Sequence, residues 1–151
     1  MKRLFVFLCA LLIGCAAIPA AVLMDGDLAV TALTTLQNDL KLLGAPAAET
    51  NAVAVATTAV QTGVTDLKKG AKTAEDFAAL VNDQISVVAP PLLTDFKANN
   101  TITTGVVLLQ QLVLVIAAEA TTNQSAVAPP PTARSVDVRA ALKDWVMRHH
   151  K

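Results

Sequence analysis

Apolar residues recur along this chain at helical rather than alternating intervals. Over residues 25–43, Ala29, Leu33, Leu36, Leu40 and Leu43 fall three or four apart and make one stripe on a helix. Asp25 and Asp27 suit its amino end, where carboxylates satisfy orphan N–H groups and favour the dipole. Gly44 and Pro46 follow as stop signals. A second stripe, Val53, Ala56, Val60, Val64 and Leu67, predicts a helix over 49–69 that ends on Lys68, Lys69 and Gly70. Its Val and Thr content is mediocre for a helix, which leaves a strand over 52–60 as the rival, but the period is helical.

Thr73-Ala74-Glu75-Asp76 has the order of a capping box and starts a third helix near Ala74, with Phe77, Leu80, Val81, Ile85 and Val88 on its apolar side. Pro90 and Pro91 are expected to end or kink it, since both lack the N–H donor and their rings crowd the preceding turn. Leu92, Leu93 and Phe96 then form one more short turn before a loop at Asn99 and Asn100. A fourth helix over 104–121 is apolar nearly all round. No charge occurs from residue 98 to 118, so a membrane span near 106–118 is one reading. That stretch is thirteen residues, short of the ~20 a bilayer requires, and Gln110 and Gln111 interrupt it; a buried core helix fits better. Residues 121–134 contain three consecutive prolines and read as a linker. Beyond it, Ser135 and Asp137 are placed to cap a last helix bearing Val138, Ala141, Leu142, Trp145 and Val146 on one face.

The expectation is an all-α fold: an antiparallel four-helix bundle over 21–120, with an additional amphipathic C-terminal helix at 135–151. Short loops after Leu43 and Lys69 make neighbouring helices antiparallel.

Composition narrows the function classes. The 151 residues are 54% hydrophobic, 3% aromatic and formally neutral. Zero net charge and scarce rings exclude a nucleic-acid module, and two Cys near the start cannot staple a small fold. The neutrality conceals a division. Residues 21–133 carry five bases and ten acids, whereas residues 134–151 carry five bases and two acids.

The first twenty residues read as an export signal: Lys2 and Arg3, an apolar run over 4–13, then Gly14, Cys15, Ala16 and Ala17. Leu12-Ile13-Gly14-Cys15 resembles the lipobox of bacterial lipoproteins. That resemblance implies cleavage before Cys15, acyl chains on Cys15, and, through Ala16, the outer membrane. Ordinary cleavage after Ala17 or Ala20 satisfies the same physical pattern. The destination is the periplasmic side or outer membrane of a bacterium, or the exterior of another cell.

Chemistry is sparse. His149 and His150 point different ways on a helix and have no Cys beside them, so no metal is expected. Ser86, Ser125 and Ser135 lie in no nucleophile elbow, the glycines make no phosphate loop, and neither an enzyme nor a cofactor is expected. Asn99-Asn100-Thr101 and Asn123-Gln124-Ser125 match the glycosylation pattern, which matters in a eukaryotic host. The basic amphipathic end has two readings. Arg139, Leu142, Lys143, Trp145 and Arg148 form a contact surface for a membrane or a protein partner, or Leu142 and Trp145 pack back onto the bundle. The second is preferred because a small domain gains by burying a Trp. The aromatic-poor Ala/Thr/Val body, with its Leu33-Leu36-Leu40 stripe, also looks a little like fungal secreted hydrophobic surface-binding proteins, which implies adsorption to apolar solids. The leading expectation is a non-enzymatic, membrane-anchored envelope lipoprotein; the alternatives are a secreted binder of apolar surfaces or ligands and a small integral membrane protein.

Overall fold

Leucine and valine stripes bring five helices together in the computed structural model, which describes residues 18–122 and 133–149. In chain order they are α1 (Ala20–Leu42), α2 (Ala47–Lys68), α3 (Ala74–Asp95), α4 (Asn100–Thr122) and α5 (Ala133–His149). The described residues contain no strand, and 52–60 lies inside α2. Helices α1 to α4 form a ring in which each packs on the next and α4 closes against α1; α5 lies over the α1/α4 seam. Lys68 at the end of α2 meets Asp27 near the start of α1 at 3.1 Å, as antiparallel neighbours must. Leu33, Leu36 and Leu40 of α1, Phe77 of α3 and Leu112 and Ile116 of α4 are fully enclosed.

Helix ends follow the local chemistry. Past α1, the Gly44 N–H reaches the Lys41 carbonyl and the Ala45 N–H the Leu40 carbonyl, with Gly44 at φ 66°. Gly70 repeats the arrangement after α2 at φ 70°. Both turns need the left-handed conformation that glycine adopts without a Cβ penalty. At the start of α3, the Thr73 side chain accepts from the Asp76 N–H while Asp76 accepts from the Thr73 N–H. The capping box read from the sequence is therefore formed.

Several boundaries differ from expectation. Helix α1 begins at Ala20, not near residue 25, because the apolar residues before Asp25 continue the buried stripe through Val22. Asp25 and Asp27 are therefore interior helix positions rather than caps, and Leu43, expected in the stripe, is the half-exposed C-cap residue. Helix α3 does not end at Pro90 and Pro91 but continues to Asp95. The carbonyls deprived of donors belong to Ser86 and Val87, on the exposed side of the helix, where water can satisfy them. The expected Asn99/Asn100 loop shrinks to a cap: Asn99 Oδ1 accepts from the Thr101 and Ile102 N–H groups and starts α4 four residues early. Asn99 of the first glycosylation candidate is thus the cap residue; Asn123 lies outside the described residues. Ser135 and Asp137 sit within α5, which begins at Ala133, and so do not cap it. Of the predicted linker, residues 123–132 lie outside the described residues.

Trp145 determines how closely α5 approaches the ring. Its indole is 2% exposed, and its Nε1 donates to the Thr101 carbonyl at 3.0 Å. The ring rests on Gly105, where a Cβ would stand 2.3 Å from Trp145 Cζ2. Only a residue without a side chain leaves this room. Gly105→Val is therefore expected to lift α5 and cost about 2–3 kcal/mol of stability, in the range for overpacking. A lower urea midpoint together with red-shifted emission from Trp145, the sole Trp, checks it.

Candidate functional site

Three charged residues on three helices converge at one end of the α5 seam. Asp25 lies in the second turn of α1, Glu119 in the last turns of α4, and Arg139 in the second turn of α5. Each falls on the apolar stripe of its own helix. Asp25 precedes Ala29 by four, Glu119 follows Ile116 by three, and Arg139, at the border of its stripe, precedes Leu142 by three. Packing the stripes together therefore brings the charges together. Arg139 donates from Nε to Asp25 Oδ1 at 2.6 Å and from Nη2 to Asp25 Oδ2 at 2.7 Å, a bidentate fork, and Nη2 also donates to Glu119. Asp25 is 1% exposed.

The electrostatics follow from two carboxylates and one guanidinium in a poorly hydrated corner. Burial pushes the Glu119 carboxyl above its ordinary 4.5; the Arg139 hydrogen bond opposes this and the charge of Asp25 adds to it. Arg139 holds its proton more tightly than usual, chiefly through the Asp25 hydrogen bond. At the other end of α5, His149 Nδ1 lies 2.8 Å from the Trp145 carbonyl, and the two rings are 5.3 Å apart. Near it, burial raises the Asp39 carboxyl of α1 and the charge of His149 opposes that rise. Asp39 Oδ2 is a buried oxygen without a hydrogen-bond partner.

The structure distributes the sequence candidates unevenly. Leu142 and Trp145 are buried under α5, which removes both from a contact surface in the docked state. Arg139 is turned inward to Asp25 and Glu119. Lys143 and Arg148 are exposed, and Arg148 pairs with Asp144 at 2.5 Å one turn back. Cys15 lies outside the described residues, as does His150. The sequence pattern suggests a cap at Asp25, marks Thr101 only within a glycosylation pattern, and gives Glu119 and Gly105 no role. Among the described residues no three of His, Cys, Asp and Glu are grouped to hold a metal. In the cluster the Nε and Nη2 edge of the guanidinium is engaged by Asp25 and Glu119.

Away from the seam, a shallow apolar groove of about 320 Å³ runs between α3 and α4, lined by Ala78, Ala79, Val113, Leu114, Ala117 and Ala120. Helix α4 is the one helix among the described residues long and apolar enough to cross a membrane, and it passes that test by length and composition alone. In the fold its buried face forms one wall of the core, while Gln110 is exposed and Gln111 half-buried. No protein-family model, no curated protein and no solved structure matches the chain.

Removing one member of a buried ion cluster strands the others. Arg139→Met is expected to destabilise the protein by about 3 kcal/mol or more. Adding Asp25→Asn and Glu119→Gln to that variant recovers part of the loss, which denaturant unfolding of the single and triple variants measures. The raised Glu119 carboxyl means that the folded chain binds a proton before the unfolded chain does. Stability from this group is therefore present below about 4.5 and is lost as pH rises through its higher folded value. Asp39 has the same sign above its ordinary 3.8. Thermal unfolding from pH 7 down to 4.5 should show the melting temperature carrying a rising contribution on acidification that Glu119→Gln removes.

Proposed function

We propose that this chain is an exported, non-enzymatic helical protein, held at a bacterial envelope membrane through acyl chains on Cys15 and acting as a structural or binding module. The observation that carries this reading is the sequence Leu12-Ile13-Gly14-Cys15 behind a basic start and an apolar run, a few residues ahead of a folded bundle. Helix α1 opens at Ala20 with Val22 in the core. Cleavage before Cys15 or after Ala17 leaves that helix whole, whereas cleavage after Ala20 removes its first residue. Two or three acyl chains give durable attachment where one gives only reversible binding. The absence of an enzymatic role in this reading rests on how the charged groups are spent, on helix ends and on the α5 seam.

A second reading is a freely secreted protein that binds apolar surfaces, and the distribution of charge favours it. In α1 to α4 the charged residues lie within about two helical turns of an end, Asp83 of α3 excepted. Between the ends the surface is mostly Ala, Val, Leu, Thr, Ser, Asn and Gln, with Val55, Val87 and Leu114 each more than 60% exposed. The hydroxyls of exposed Thr58, Thr62 and Thr65 donate to carbonyls one turn back, which leaves their methyl groups to dominate the surface.

Intact-mass measurement of the protein purified from envelopes separates these readings. A chain beginning at Cys15 and heavier than its polypeptide by a diacylglycerol and an acyl group is the expected result. A chain beginning at Ile18 or Ala21 at its bare polypeptide mass overturns the anchor, and retention of that form on hydrophobic beads then supports the second reading.

A further inference from the structure

We propose that α5 has two docking sites, the α1/α4 seam of its own bundle and the surface of an anionic lipid bilayer, and that Asp25 and Glu119 occupy Arg139 in the first as lipid phosphates would in the second. The inference concerns a second membrane contact and does not require a lipid on Cys15.

Val138, Leu142, Trp145 and Val146 share the buried face of α5. At 3.6 residues per turn, Arg139 borders that face, Lys143 lies further round on the same side and Arg148 on the other, with Asp137 and Asp144 beyond Arg148 toward the far side. An apolar stripe bordered by bases, with acids on the far side and a Trp among the apolar residues, is the pattern of a helix lying in the plane of an anionic interface. A helix needed only to cover the seam has no use for bases on both borders. One border is served by Asp25 and Glu119; on the other, Arg148 finds only Asp144 of its own helix.

The chemistry of the seam is equally suited to exchange. Arg139 is held by a bidentate carboxylate, and the same planar fork fits a phosphate. Trp145 places its N–H on a carbonyl and its body among apolar groups, the two environments that meet at a bilayer interface. The two sites thus bury the same side chains and satisfy the same donors. Covalent length permits the move, since the ten residues between Thr122 and Ala133 reach at most about 35 Å.

Trp145 is the only Trp and the chain has no Tyr, so its fluorescence reports α5 alone, even where the apolar amino terminus also binds lipid. The full chain is mixed with vesicles whose acyl chains are brominated, either pure phosphatidylcholine or phosphatidylcholine containing phosphatidylglycerol. Expected are Trp145 quenching on the anionic vesicles that exceeds quenching on the zwitterionic ones and disappears in high salt. Quenching should increase in the Asp25→Asn, Glu119→Gln double variant, whose seam no longer neutralises Arg139. Should that variant fail to fold, Lys143→Glu with Arg148→Glu alters only exposed positions; it should weaken partitioning about thirtyfold or more, since each basic residue near the surface contributes about 1 kcal/mol. Equal quenching on both lipids that ignores the charge reversal, or none on either with every variant, overturns the proposal. So does a Trp145 response to polyglutamate but not to vesicles, which would assign α5 to an acidic protein partner. None of these outcomes depends on the mass at Cys15, so the anchor and the second contact stand or fall separately.

Discussion

A guanidinium that enters an apolar seam must meet its counter-charges there, and that requirement governs how the fifth helix joins the other four. Arg139 is paired with Asp25, which is almost fully enclosed, and with Glu119. The attraction hardly exceeds the cost of drying three charged groups, so the cluster is not the main source of stability. Stabilisation comes from Val138, Leu142, Trp145 and Val146, at roughly 1.5–3 kcal/mol for each large side chain enclosed. A slide of one turn would take Trp145 off the Gly105 notch and the fork off Asp25, leaving charges buried without partners. The ion cluster and the Gly105 notch thus fix the register together, and the notch also fixes the depth.

The same cluster explains why the end of the bundle where α1 begins is well defined. Asp25 is near the start of α1, whose dipole favours a negative charge, and Arg139 is near the start of α5, whose dipole does not favour a positive one. Glu119 is at the end of α4, where the dipole opposes a carboxylate. Only one of the three charges is therefore well placed with respect to its own helix, and the other two depend on the assembly. The seam is thus the junction most dependent on charge pairing, while α1 to α4 are held mainly by aliphatic packing, with Lys68 and Asp27 paired at its surface.

The helical period, the Gly stops after α1 and α2, the Thr73 capping box and the burial of Leu142 and Trp145 were legible in the sequence because each depends on neighbours within a turn or on apolar area. The path of α3 through Pro90 and Pro91 was not, since it depends on which side of the helix loses its donors, and that side is settled by packing. Asp25 was misread for an instructive reason. Two acids at the front of a stripe suit a cap, yet the stripe Ala29, Leu33, Leu36 extends backward by four to Asp25 and by three more to Val22. Glu119 and Arg139 occupy the same kind of position on their own helices. Three opposite charges on three apolar stripes is a signal of mutual burial, but it becomes readable only when the stripes are known to face one another. Gly105 carried no such signal, because the ring that requires its small size lies forty residues away.

Charge is also distributed between helices. Helix α4 has no ionisable group before Glu119, whereas α5 has one on nearly every turn. The fold lays the helix richest in charge over part of the helix poorest in it, so that α5 presents Lys143, Asp144 and Arg148 to water where α4 would present Gly105 and its aliphatic neighbours. Covering apolar surface in this way favours solubility. It also means that departure of α5 exposes apolar surface on both parts at once, on α5 and on the α1/α4 seam. An aqueous medium resists that separation, and an apolar or interfacial medium accepts both surfaces. In water the cover is therefore held by the apolar area it encloses, and an interface that competes for α5, as proposed above, must accept both surfaces.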